Sequence, residues 1–152
     1  MCAKNILTYG GDKVGRKEYK VIQYTYTISS TFEKEWLKVF AKTINKNELD
    51  KYVTHQGNYI WHIFSWKLLP EGSFLAGNEA RKAFDEENKT NARYYEPWPD
   101  NGQHNPEYNS PSSKELDLLR ECYVISSDKK WTYIKTHEGD FHGPYFYKLG
   151  KK

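Results

Sequence analysis

An α/β fold, a single domain with a mixed β-sheet flanked by about three helices and ending in a C-terminal hairpin, is what the sequence predicts. Three observations carry that prediction. A chain of 152 residues suits one hydrophobic core. Segments of strand pattern alternate with segments of helix pattern along it. Near the end, "CYVIS" and "WTYIKTH" flank the turn "SDKK", as the two arms of a hairpin do.

The elements follow in order. The glycine-rich, basic stretch "GGDKVGRKEYK", with Lys13, Arg16, Lys17 and Lys20 close together, marks residues 1–18 as a flexible N-terminal arm. The domain then runs over 19–152. "YKVIQYTYTI", from Tyr19 to Ile28, is β-branched and aromatic with near alternation, which predicts a strand. Ser29 and Ser30 supply an N-cap, and Phe32, Trp36, Leu37, Phe40 and Ile44 fall on one helical face. A shorter helix over "NELDKYVTH", capped by Asn47, comes next.

"NYIWHIFSW", from Asn58 to Trp66, lies between Gly57 and Pro70 and is apolar enough to predict a strand buried on both faces. "GNEARKAFDEEN" predicts a helix capped by Asn78, with Ala80, Ala83 and Phe84 inward. "NARYYEPW" returns as a strand that stops at Pro97. Residues 97–112 hold too many breakers for helix or sheet and form a long irregular loop. Ser112 and Glu115 have capping-box spacing, and Leu116, Leu118 and Leu119 feed a helix from Ser113 to Glu121. After Gly139 and Pro144 the chain closes on the aromatic piece "YFYK".

Composition narrows the functional classes. Aromatic residues are 16% of the chain within a hydrophobic total of 38%, so Tyr, Trp and Phe must supply much of the burial. A net charge of +3 is too mild for a dedicated nucleic-acid binder. No apolar run is long enough to span a bilayer, and the opening residues lack the apolar core of a secretion signal, so residence in the cytoplasm is expected. Cys2 and Cys122 are the only cysteines, and neither a structural disulfide nor a zinc spacing follows. Cys122 reads as a small buried apolar residue.

Several groupings bear on chemistry. His137, Glu138, Asp140 and His142 lie within six positions, and imidazoles with carboxylates ligate zinc-like ions. Gly139 and Gly143 place this piece in a turn, where spacing guarantees no common ligand face, so His137 and His142 stand only as the alternative metal pair. His137 with Glu138 is the alternative acid/base pair, weakened because neighbours in a strand point to opposite faces. A hairpin end whose polar tips cap backbone groups accounts for the same residues. Within the predicted buried strand, His62 reads as a satisfied core histidine, and Ser65 lacks the glycines of a nucleophile elbow. "GGDKVG" has no preceding strand and no Gly-Lys-Ser/Thr ending, so no phosphate-cradling loop is expected.

The loop and third helix carry the opposite charge to the rest. Glu96, Asp100, Glu107, Glu115, Asp117 and Glu121 are offset only by Lys114 and Arg120, and Trp98 and Tyr108 sit among them. Aromatic anchors within an acidic rim suit the grip on a basic partner, burial giving affinity and charge giving fast encounter.

Taken together, "WHIFSW", "NEARKAFDEEN", a tyrosine-rich strand and "WTYIKTHEGDFHGPYF" resemble a small single-domain bacterial family of unknown function. The resemblance covers Tyr19 to Lys148 and rests on Trp61, His62, Phe64, Ser65, Trp131, Thr132, Tyr133, Thr136, His137, Glu138, Gly143 and Pro144. It implies a soluble bacterial α/β protein and brings no activity or cofactor with it. "EPWPDNGQHNPEYNSPSS" and the basic arm depart from the family pattern and, as additions, would be where a particular partner is read.

The leading expectation is therefore an immunity protein or antitoxin that binds a cognate bacterial toxin, encoded nearby and perhaps a nuclease, with no cofactor, no membrane and no nucleic acid involved. Its expected contact residues are Trp98, Asp100, Glu107, Tyr108, Glu115 and Asp117. The alternative is a metal-assisted or His/Glu-assisted hydrolase built on His137, Glu138 and His142. A third reading is an RNA-binding module using the Lys13 to Lys20 arm.

Overall fold

The computed structural model describes residues 31–97 and 109–150. The basic arm, the Tyr19 to Ile28 strand, its Ser29 and Ser30 cap, and most of the 97–112 loop lie outside them. The described chain is an α/β domain: helices α1 (Thr31–Phe40), α2 (Lys46–Tyr52), α3 (His62–Ser65), α4 (Asn78–Glu86) and α5 (Ser113–Leu116), with strands β1 (Phe74–Ala76), β2 (Arg93–Tyr95), β3 (Cys122–Ile125), β4 (Trp131–Lys135) and β5 (Tyr145–Lys148). The strands form one sheet in the order β1-β5-β4-β3-β2, every neighbouring pair antiparallel.

Alternation along the strands sorts the core into two layers, because successive strand residues point to opposite faces. On one face Tyr123, Ile125, Ile134 and Tyr145 meet Trp36 and Phe40 of α1 and Ile63 and Phe64 of α3. On the other, Cys122, Val124, Trp131, Tyr133 and Phe146 meet Ala80 and Phe84 of α4 and Leu116 of α5. The expected aromatic burial is here: Phe84 stacks on Tyr133 with ring centres 4.2 Å apart, and Phe64 stacks on Tyr145 at 4.9 Å. Cys122 is a buried thiol in the second layer.

Local signals place the termini. Ser112 and Glu115 make the reciprocal capping box at α5, although the helix ends at Leu116 instead of Glu121. Asn45, and not Asn47, caps α2 by accepting from the Glu48 amide. Gly77 is the N-cap of α4, and Asn78 is its first residue, with its side-chain oxygen accepting from Arg81.

The largest correction is at Asn58 to Trp66. It is a turn leading into the short helix α3, not a strand. Ile60, Trp61, Ile63 and Phe64 are buried, a set related by steps of one, three and four that lie on one side of a helix. His62 and Ser65 accordingly do not sit in a sheet, and His62 Nδ1–H donates to the Tyr52 carbonyl at 2.7 Å. A further strand, β1, forms an edge of the sheet among the described residues and was not expected.

Candidate functional site

One end of the sheet collects the residues of chemical interest, and the antiparallel register explains how. Cys122 pairs with Lys135, so Glu121, one step before β3, stands beside Thr136, one step after β4. Residues 136–144 then connect β4 to β5 across that same end, with a 3-10 turn at Gly139–Phe141. β1 also finishes there, and the Gly77 amide donates to the Pro144 carbonyl at 2.8 Å, which brings the first turn of α4 up to the loop.

The loop is pinned at four places. Glu121, fully buried, accepts the His137 amide at 2.9 Å and His137 Nδ1–H at 2.7 Å on one oxygen, while the Tyr123 hydroxyl donates to the other. Thr136 Oγ1 donates to the His142 carbonyl and accepts from the Glu138 amide, closing the loop on itself. Arg81 of α4 donates to Asp140 at 2.7 Å. His142 lies flat against the buried ring of Trp61, with ring centres 5.7 Å apart. Gly143 makes the close exit possible: its φ is +104°, and a Cβ there would lie 3.2 Å from the Tyr145 ring.

What the pinned loop displays is Phe141, which is 90% exposed. Leaving such a ring in water forgoes about 2 kcal/mol of hydrophobic burial. Leu118, just beyond α5, is 81% exposed. Arg81 joins the two segments, because its Nε donates to Asp117 at 3.0 Å while another of its nitrogens holds Asp140.

Beneath the loop, electrostatics are perturbed around Glu121. Burial, and then the nearby Glu121 charge, push the Glu33 carboxyl up to about 7. Burial, and then the same two carboxylates, push the Tyr123 hydroxyl well up. His62 is pulled down, chiefly by burial and against its bond to the Tyr52 carbonyl, with His142 adding repulsion. Tyr59 and Trp61 lie against His137 with ring centres at 5.1 and 5.8 Å.

A family model described as a domain of unknown function, DUF4275, matches residues 10–146. The chain belongs to this family. No curated protein and no solved structure matches it. The matched span takes in β3, β4 and the 136–144 loop, so the site lies inside the DUF4275 domain.

The expected site residues divide sharply. Trp98, Asp100, Glu107 and Tyr108 lie outside the described residues. Glu115 is engaged in the α5 capping box, and Asp117 holds Arg81. His137, Glu138 and His142 do share the hairpin loop, with His137 Nε2 at 3.6 Å from Glu138. Among the described residues no group of three or more His, Cys, Asp or Glu side chains is placed to hold a metal ion. No helix among them is long and apolar enough to cross a membrane. Arg81, which helps organise the site of this DUF4275 domain, has no sequence reading, and Glu121, counted there with the acidic rim, is instead fully buried. The available signal for Glu121 was a carboxylate abutting the apolar run "CYVI".

Proposed function

We propose that this DUF4275 protein is a binding protein, an immunity protein or antitoxin that neutralises a cognate bacterial toxin by occluding its working surface. The observation that carries the reading is Phe141, held out into solvent on a loop fastened at four points. A backbone already fixed loses little entropy on docking, so more of the ring's burial goes into affinity. The loop also bears Glu138 and Asp140 and no lysine or arginine. An acidic, aromatic-tipped surface fits a basic partner, and a nuclease cleft that holds phosphates is basic.

The test is neutralisation. Cells producing the protein encoded beside this one are expected to stop growing, to grow when this chain is co-produced, and to stop again with Phe141→Glu. Growth arrest that wild-type chain does not relieve overturns the proposal.

A second reading has one specific observation behind it. A buried carboxylate orienting an imidazole is the arrangement of a general base, as Glu121 and His137 are arranged at 2.7 Å. His137→Asn keeps a donor toward Glu121 and removes the base. Neutralisation that persists in this variant supports occlusion, and its loss from a stably folded variant supports hydrolysis.

A further inference from the structure

We propose that Leu118 and Phe141 form one docking surface, and that its occupant is a partner protein offering apolar sockets, the one for Phe141 rimmed by lysine or arginine. This rests on the binding reading above and assigns the surface and the chemistry of the partner.

Continuity is supplied by Arg81. Its guanidinium bonds Asp117 and Asp140 at once and also takes Asn78, at 3.0, 2.7 and 2.8 Å. Leu118 follows Asp117 and Phe141 follows Asp140, so the hub that spans the two carboxylates ties together the two segments that carry the apolar side chains. Both segments approach from fixed elements, α5 and the β4–β5 connection, and neither depends on the other's backbone.

Charge selects the occupant. Arg81 is largely covered and its positive charge is shared between two carboxylates, whereas the Asp140 side chain remains 73% exposed and that of Glu138 42% exposed. The surface beside Phe141 therefore carries an acidic excess, whereas Leu118 is flanked along the chain by the exposed Lys114 and Arg120. A basic rim on the partner gains attraction at the edge of the contact while Phe141 and Leu118 fill its centre, the usual division between apolar core and polar rim.

The experiment is calorimetric titration of the protein encoded beside this one with wild-type chain, Phe141→Ala, Leu118→Ala and Asp140→Asn, each checked by thermal unfolding. Phe141→Ala is expected to weaken binding by roughly 30-fold or more and Leu118→Ala by roughly tenfold, both with unchanged unfolding temperature. Asp140→Asn is expected to weaken it most at low salt. Wild-type affinity in both apolar variants overturns this surface while leaving the binding reading standing. No complex with wild-type chain removes the binding reading itself. Self-association of the chain alone, abolished by Phe141→Ala, overturns the assigned occupant.

Discussion

Replacing Glu121 by alanine lowers the folding stability by about 3–5 kcal/mol, the range expected when one member of a buried charged network is removed. Three donors converge on this carboxylate: the His137 amide, His137 Nδ1–H and the Tyr123 hydroxyl. Alanine leaves all three short of a partner, in a domain whose total stability is on the order of 5–15 kcal/mol. Glu121→Gln costs less, about 1–2 kcal/mol, because its amide oxygen still accepts from His137 and its NH2 can donate to the Tyr123 hydroxyl, which loses only the acceptor for its own proton. Denaturant titration of the two variants measures the difference, and equal costs would contradict the assigned bonds.

The same substitution carries a pH signature. Glu33 is raised from 4.5 to about 7 in the folded protein, first by burial and then by Glu121. Because its folded value lies above its unfolded one, its contribution to stability is fully present below 4.5 and is lost as pH rises through about 7. Without the Glu121 charge the folded value moves back toward the ordinary one. The decline of stability between pH 5 and pH 7 is then shallower in Glu121→Ala than in the wild type.

Trp36→Ala is expected to cost about 3–5 kcal/mol, as for other large aromatic truncations in cores. Trp36 is fully buried between α1 and the sheet, its ring centre 5.4 Å from Phe40 and 6.0 Å from Phe64. Its indole N–H donates to Thr132 Oγ1 at 2.7 Å, and Thr132 in turn donates to the Val124 carbonyl at 2.7 Å. One side chain thus fastens α1 to β4 and, through it, to β3. Trp36→Phe retains most of the packing and loses the donor, and Thr132 keeps its own acceptor, so about 1–2 kcal/mol is expected. Thermal unfolding in parallel separates the cavity cost from the hydrogen-bond cost.

The residues that were readable in sequence are those whose signal is local. Ser112 and Glu115 announce a capping box by spacing alone, and the "SDKK" turn between two β-branched, aromatic runs announces the β3–β4 hairpin. Asn58 to Trp66 was misread because a short run of nearly continuous aromatic and aliphatic residues has no visible period. Only its buried set, Ile60, Trp61, Ile63 and Phe64, betrays the helix. β1 is three residues long, too brief for alternation to register. The site was half legible. His137, Glu138, Asp140 and His142 stood out as a cluster, but their supports come from far along the chain: Arg81 is 59 residues from Asp140, and Glu121 is 16 from His137. Nothing local ties either to the loop until the register of β3 against β4, and of β1 against β5, brings the segments to one sheet end.

On the binding function proposed above, Phe141 is presented to solvent by the free protein and covered by a partner. Placing 4-fluorophenylalanine at position 141 and recording its fluorine resonance with a soluble gadolinium chelate tests this directly. The predicted result is one resonance, strongly broadened in the free protein and sheltered once the protein encoded alongside is added. A resonance sheltered in the free protein, or equally broadened in both states, would contradict it.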